Sequence, residues 1–334
     1  MRHVAVVGAL GFIGSHLVER LLRDEENELF LSDTLLSNTI APADLKGWLG
    51  DGSRCITFTC LPRTLPPGKI DQIYHLASIV GPVGVLAHAG QIAPAIVQDV
   101  AWWAEAAADR GAALLYSSTS EIYSGGVDGL CDERMARVIP AESSARVEYA
   151  AAKIAAEVLL QNRAARQRIT IVRPFNVAGP RQRAKGGFVL PRFVLQAISG
   201  QPLTLYGDGS AIRAFTHVVD IVEGLTQVME RGESGAAYNL GNPRNRISIT
   251  ALARKVVQLT GSRSPIQSVD PTRLFGPTFR EASDKFPDDT LAREAVGWNP
   301  SRDLTGIIAA IAKHFLTLPP DELARCLDEL KPVL

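Results

Sequence analysis

Tyr149 and Lys153 stand four residues apart in the segment Y-A-A-A-K. On a helix this spacing puts both side chains on one face, one turn apart. A phenol is a weak base at neutral pH, with an ordinary pKa of about 10. A neighbouring ammonium favours the phenolate. A tyrosine supported in this way can take the proton of a substrate hydroxyl while hydride leaves the same carbon. Upstream lies S-S-T-S-E-I-Y, Ser117 to Tyr123. Ser118 or Thr119 can hydrogen-bond the same hydroxyl, and Glu121 supplies a second acid or base. All these residue types also occur in capped loops and on solvated faces. Chemistry needs elements that bring them together, and a hydride acceptor beside them.

The acceptor is signalled at the start of the chain, in H-V-A-V-V-G-A-L-G-F-I-G-S-H. Val4 to Val7 form a short apolar run, as in a strand buried on both faces. Gly8, Gly11 and Gly14 follow at three-residue intervals, and Phe12, Ile13, Leu17, Val18, Leu21 and Leu22 recur at helical spacing. Strand, glycine turn and helix is the context of a dinucleotide site. Gly8 permits the tight turn, Gly11 lets the backbone approach a pyrophosphate, and Gly14 lets the helix pack on the strand. The first turn of the helix offers N–H groups to the phosphates. Asp33 ends a second apolar run about twenty residues further on, where an acid binds the ribose 2′-hydroxyl. Its charge would repel a 2′-phosphate, and no Arg or Lys lies between Asp33 and Leu45. The expected cofactor is NAD rather than NADP.

Strand-like and helix-like segments alternate through the first half, which predicts a doubly wound parallel α/β sheet. Further strands are expected at Ile56–Thr59, Gln72–Ala77, Ala112–Ser117 and Ile169–Arg173. A helix that is apolar nearly all round is expected at Ile92–Arg110, and a long Ala-rich helix at Ala141–Ala165. After Pro174 glycine, proline and arginine become frequent, as in a smaller lobe. Helices are expected there near Leu190–Ser199, Val218–Arg231, Thr250–Thr260 and Leu304–Leu316, with a packing tail helix at Asp321–Leu330. The 334 residues are 46% hydrophobic, enough for a large core. The 35 basic and 35 acidic side chains balance, against a nucleic-acid binder. No run of about eighteen apolar residues is present and a strand begins at once, so neither a membrane span nor a signal peptide is expected. Cys55, Cys60, Cys131 and Cys326 show no C-x-x-C pairing. They read as reduced thiols of a cytoplasmic protein, with no metal site.

G-A-L-G-F-I-G-S-H, Y-H-L-A-S, S-S-T-S-E-I-Y, Y-A-A-A-K, R-P-F-N-V-A-G-P-R-Q, P-L-T-L-Y-G-D-G-S-A-I-R-A-F-T-H-V-V-D and Y-N-L-G-N-P follow one another in this order. Together they resemble the NAD-dependent epimerase/dehydratase family, the extended short-chain dehydrogenases acting on nucleotide sugars. The resemblance runs from Val4 to about Leu304. It implies a Rossmann domain, residues 1–174 plus 216–243, and a nucleotide-sugar lobe, 175–215 plus 244–334, with the cleft between them. It implies tightly bound NAD and transient oxidation at sugar C4. Thr119, Tyr149 and Lys153 match the catalytic trio, and Glu121 the added acid/base of lyase members. Leu76, Ala77 and Ser117 fall in segments that line the cofactor. Asn176, Arg192, Tyr206, Arg213 and Arg280 fall in segments that meet a UDP- or dTDP-linked substrate. The S-T-S-E segment looks most like UDP-glucuronate decarboxylases and sugar-nucleotide 4,6-dehydratases.

Four departures from the family pattern stand out. T-F-T-C-L-P replaces an acidic residue after the third strand. Asp99 replaces an Asn in the fourth helix, Ala178 a Tyr, and Lys285 an Arg before P-D. The expectation is a lyase that exploits Glu121, with a 4-epimerase as the alternative. A non-catalytic NAD sensor or a net-redox dehydrogenase accounts for fewer of these segments. The apolar helix and the alanine face of its neighbour predict a homodimer.

Overall fold

The computed structural model describes residues 1–36, 38–42, 57–124, 129–185, 187–270, 272, 284–328 and 330. The strands of the first half are β1 (Arg2–Val7), β2 (Asn27–Ser32), β3 (Thr57–Thr59), β4 (Gln72–His75), β5 (Ala113–Ser117), β6 (Gly129–Cys131) and β7 (Ile169–Pro174). Those of the second are β8 (Val177–Ala178), β9 (Leu203–Tyr206), β10 (Ile212–Ala214), β11 (Thr216–His217), β12 (Ala237–Leu240), β13 (Arg246–Ser248), β14 (Ile266–Val269) and β15 (Lys285–Pro287). The helices are α1 (Phe12–Leu21), α2 (Gly81–Ala87), α3 (Ile92–Arg110), α4 (Ala145–Arg163) and α5 (Val189–Ile198). They continue with α6 (Val218–Arg231), α7 (Ile249–Thr260), α8 (Thr290–Val296), α9 (Leu304–Leu316) and α10 (Pro320–Asp328).

Seven strands form one parallel sheet in the order β12-β7-β5-β4-β1-β2-β3. This is the doubly wound α/β fold expected. Alternation along β1 sends Ala5 and Val7 into the core under α3 and α4, and Val4 and Val6 into the core under α1 and α6. Strand order reverses between β1 and β4, and such a switch point opens a crevice at the carboxyl ends of the strands. A smaller sheet, β13-β10-β15-β6, brings the second half over that edge. The lobe has its own core, with Phe193, Leu205, Leu252 and Ile308 at its centre. Leu323, Leu327 and Leu330 of the tail pack against it, as expected.

Several boundaries differ from expectation. The fourth strand ends at His75, which frees Leu76 and Ala77 to enter the switch-point crevice. The Ala-rich helix begins at Ala145 rather than Ala141, because Ser144 caps it by accepting the Val147 N–H. Helix α3 is one-sided rather than buried all round: Ile96, Val100, Trp103 and Ala107 are buried, while Ala95, Gln98 and Glu105 face outward. Helix α2 was not expected. Ile56 and Cys55 lie outside the described residues. Among the described residues no helix is long and apolar enough to cross a membrane.

Candidate active site

The glycine turn is built for close approach. Gly8 has φ +82°, a left-handed conformation that suits glycine. A Cβ there would lie 2.9 Å from the Ala77 N, and one on Gly14 would lie 1.9 Å from the Gly8 carbonyl oxygen. A Cβ on Gly11 would meet only the Gly8 oxygen, at 3.3 Å. The turn thus sits against Leu76–Ala77 on one side and α1 on the other, with Gly11 facing open space. Gly11 is the N-cap of α1 and no side chain caps the helix, so no side-chain cap covers the first-turn amides at Phe12 and Ile13. Asp33 is buried, and its two oxygens accept the Leu10 N–H at 2.9 Å and the Leu35 N–H at 2.8 Å. A carboxylate has about four acceptor positions, which leaves capacity for a ribose hydroxyl. These residues fit a dinucleotide.

Tyr149 and Lys153 project from one face of α4, both buried. Lys153 donates to the Ser117 carbonyl at 2.9 Å and lies 4.7 Å from the centre of the Tyr116 ring and 5.9 Å from that of Tyr149. Burial pulls its ammonium down to about 7, against the charges of Glu157 and Asp99. Burial pushes the Tyr149 phenol above its ordinary range, while the hydroxyls of Thr119 and Ser78 hydrogen-bond it and oppose the rise. Ser78 directly follows Leu76–Ala77, so the phenol borders the crevice. Thr119 is extended, and its Oγ1 accepts the Glu121 N–H at the start of a short 3-10 turn, Ser120–Tyr123. Ser118 is buried, and its hydroxyl has no hydrogen-bond partner among the described residues.

Glu121 is not a resting acid. Lys285 donates to its Oε1 at 2.6 Å and Arg146 to its Oε2 at 2.6 Å, with the Ser124 hydroxyl at 3.1 Å. Against a burial that would raise it, these two cations hold the carboxyl well below the usual carboxylate range. Lys285 is itself buried, and burial pulls its ammonium down to about 8 although Glu121 opposes this. In the sequence Lys285 stands out only as a departure from the family pattern, and Arg146 carries no expectation. Its position three residues before Tyr149, on the same helical face, was the available signal.

Of the expected substrate residues, Arg213 reaches the Glu121 cluster through Lys285. Asn176 has φ +34°, rare for a residue with a side chain, and its amide donates to the Ala214 carbonyl at 3.2 Å. Arg213 on β10 is buried, pairs in register with Lys285, and lies 3.8 Å from Asp284. The Arg192 guanidinium stacks 3.8 Å from the centre of the Tyr206 ring. Arg280 lies outside the described residues. Of the histidines, His217 caps α6 by accepting the Val219 N–H, and His16 contacts the Pro180 carbonyl at 3.0 Å.

The chain is similar to known proteins. A profile described as the NAD dependent epimerase/dehydratase family matches residues 4–241. UDP-glucuronic acid decarboxylase 6 of Arabidopsis thaliana is 31% identical over 300 residues, 89% of this chain and 84% of that protein. UDP-N-acetyl-alpha-D-glucosaminuronate decarboxylase of Bacillus cytotoxicus is 29% identical over 303 residues, 89% and 92% of the two chains. Among solved structures, dTDP-glucose 4,6-dehydratase from Bacillus anthracis in complex with NAD superposes with a TM-score of 0.78 at 19% identity, covering 97% of this chain and 98% of that one. UDP-glucuronic acid 4-epimerase from Bacillus cereus, also with NAD, gives 0.77 at 23% identity, covering 93% and 98%. At such identities the two structures speak for the fold alone. The family profile spans the residues that build the glycine cradle and the Tyr–Lys face, and the chain belongs to the NAD-dependent epimerase/dehydratase family of enzymes.

Proposed function

We propose that this enzyme decarboxylates a UDP-linked hexuronate through a transient 4-keto sugar. Gly8, Gly11 and Gly14, with the first-turn amides at Phe12 and Ile13, hold the diphosphate of NAD, and Asp33 holds the ribose. Leu76, Ala77 and Ser117 line the path toward Tyr149 and Lys153. Bound NAD supplies the hydride acceptor and later the donor, so it is recycled. Tyr149 takes the proton from the sugar O4, with Thr119 and Ser118 hydrogen-bonding that oxygen and the Lys153 charge favouring the phenolate. Asn176, Arg192, Tyr206, Arg213 and Arg280 hold the nucleotide sugar, the arginines matching a diphosphate. A ketone at C4 makes a C6 carboxylate labile. When the C5–C6 bond breaks, carbon dioxide leaves and its electron pair passes to the C4 oxygen as an enolate. A proton at C5 leaves a 4-keto pentose, and return of the hydride to C4 with the proton from Tyr149 to O4 completes the product.

The observation that carries this reading is the Glu121 cluster. Dehydration needs an acid that protonates the departing C6 hydroxyl. Glu121, ion-paired to both Lys285 and Arg146, has no proton to give at neutral pH. Loss of carbon dioxide needs no such acid. Lys285 and Arg146 set against Glu121 also sum to one positive charge, which suits an anionic substrate carboxylate. The decarboxylase relatives support the same reading. The test is incubation of the NAD-loaded protein with UDP-glucuronate, UDP-glucose and dTDP-glucose, read by mass spectrometry. A product lighter by one carbon dioxide from UDP-glucuronate is expected. A new isomer of unchanged mass overturns the lyase in favour of a 4-epimerase.

We assign residues 1–174 plus 216–243 to the NAD-binding domain and 175–215 plus 244–334 to the substrate lobe. We also assign a cytoplasmic homodimer in which α3 and α4 pair with their copies. Ala151, Ala155 and Val158 of α4 lie on its outer side, Val158 44% exposed, and small side chains permit close helix approach. Light scattering at micromolar concentration checks it, and a monomer would count against it.

A further inference from the structure

The members of the Glu121 cluster come from three elements: Glu121 from the 3-10 turn, Lys285 from β15 and Arg146 from α4. Lys285 donates to Glu121 and, at 2.7 Å, to the Ser124 hydroxyl, so it grips the turn on both sides of Tyr123. A buried knot of hydrogen bonds links the same three elements from behind. Tyr123 is buried against Phe175, with ring centres 5.9 Å apart. Its hydroxyl accepts a hydrogen bond from the Arg173 Nη1 at 2.6 Å and donates one to the Asn239 Oδ1 at 2.9 Å. Arg173 and Asn239 are register partners on β7 and β12. Arg173 is in turn fixed to α4, where Glu157 accepts from its Nε at 3.0 Å and from its Nη2 at 2.7 Å. The other end of the Asn239 amide, Nδ2, donates to the Cys131 carbonyl at 2.9 Å. Cys131 ends β6, which runs in register beside β15, with Gly129 opposite Lys285.

The direction of these bonds is set by what each group can do. A guanidinium only donates, so the Tyr123 oxygen accepts from Arg173. Burial pushes the Tyr123 phenol above its ordinary range, so it keeps its proton at neutral pH and shares it with Asn239. A carbonyl only accepts, so Cys131 takes the Nδ2 end, and the amide cannot be reversed without breaking both bonds. Asn239 is fully buried, where an unmet donor or acceptor costs most. One amide therefore spans the gap between the turn that carries Glu121 and the strand pair that carries Lys285. Tyr123 and Asn239 are both buried, so they act on a substrate only through what they hold.

We propose that Asn239 and Tyr123 are positioning residues: the Asn239 amide, held between the Tyr123 hydroxyl and the Cys131 carbonyl, sets Glu121 and Lys285 in the arrangement that receives the substrate carboxylate. The inference rests on the proposed role of that cluster in binding a hexuronate, and it says what keeps the cluster in place. Charge alone draws Glu121 and Lys285 together without fixing their orientation, whereas the hydrogen bonds of the knot are directional.

Tyr123→Phe keeps the ring on Phe175 and removes only the hydroxyl. Asn239→Asp keeps an acceptor for Tyr123 and removes the donor to Cys131. Each is compared with wild type as the NAD-loaded full chain, by the rate at which acetic anhydride acetylates each lysine, read by peptide mass spectrometry. Lys285 is 2% exposed and Lys153 1%, so both react slowly in wild type. Acetylation of Lys285 is expected to rise about tenfold in either variant, the weight of about one buried hydrogen bond, while Lys153 stays within about twofold. A generally loosened fold would speed both lysines, so a rise shared equally by the two overturns the proposal. A folded Tyr123→Phe protein in which Lys285 is unmoved also overturns it. If that variant fails to fold, an unmoved Lys285 in Asn239→Asp does so. With UDP-glucuronate as probe, KM should rise about tenfold with kcat nearly unchanged. A KM that holds while Lys285 is freed overturns the proposal as well. No turnover in wild type counts against the proposed function instead, because acetylation needs no substrate.

Discussion

Gly14→Ala and Gly11→Ala should separate the fold of the glycine turn from its cofactor. The Gly14 Cβ would lie 1.9 Å from the Gly8 oxygen, 2.8 Å from its carbon and 3.0 Å from the Ala9 Cα, all backbone atoms that no rotamer change can move. Ordinary contact begins near 3.4 Å, so α1 must retreat by roughly 1.5 Å. Leu17, Val18 and Leu21 of that helix are buried at 0 to 4% exposure, and a gap of this size forfeits much of their packing. The expected loss is about 3 kcal/mol, the upper end for overpacking, from a total of roughly 5–15 kcal/mol. Gly11 has φ −72°, which alanine adopts freely, and its Cβ would meet one atom at 3.3 Å. Gly11→Ala should therefore stay within about 0.5 kcal/mol of wild type yet lose NAD, because the methyl group occupies the space the pyrophosphate needs. Chemical denaturation and the NAD released from the purified protein read the two effects. A Gly14→Ala protein as stable as wild type refutes the packing argument. A Gly11→Ala protein that keeps its full NAD content refutes the placement of the diphosphate.

Glu121→Gln should retain NAD but lose about tenfold in turnover of UDP-glucuronate, because the charge that holds Lys285 and Arg146 in place for the substrate carboxylate is gone, not a proton donor; near wild-type turnover to a product of unchanged mass would mark a 4-epimerase. Lys285→Met removes one of the two cations that hold the Glu121 carboxyl down, so the acid limb of kcat/KM should move to higher pH, and an unmoved limb would exclude Glu121 from the titration. Asp33→Asn keeps an acceptor for the Leu10 N–H but not the charge, and should narrow the preference for NAD over NADP by about tenfold in competition binding. His217 is pulled down to about 4, chiefly by burial, so between pH 6.5 and 4 the unfolded chain binds a proton that the folded one does not. Stability is therefore lost as pH falls through that window, about 2 kcal/mol of it from this residue. His217→Asn still caps α6 and should flatten the fall in a denaturation series from pH 7 to 4.5; an unchanged slope would place the loss elsewhere.

The features legible in the sequence are local ones. Three glycines between a strand and a helix imply a tight turn because neighbouring residues alone set its geometry. Tyr149 and Lys153 share a face because helical pitch fixes the offset of residues four apart. The alternation of apolar runs likewise implies a parallel sheet before any contact is known, and the seven-stranded sheet is there. What the chain could not disclose depends on distances between residues remote in sequence. Lys285 lies 164 positions from Glu121, and only the pairing of β15 with β10 and β6 brings it there. Asp99 reads as a lost Asn until α3 packs on β4 and brings its carboxylate within 2.8 Å of the buried His75 Nε2. Protonation decides what a carboxylate can do, and it depends on burial and on charges a few ångströms away. Those exist only once the sheets and helices have packed, which is why Glu121 reads as an acid in the sequence and stands as a clamped carboxylate in the fold.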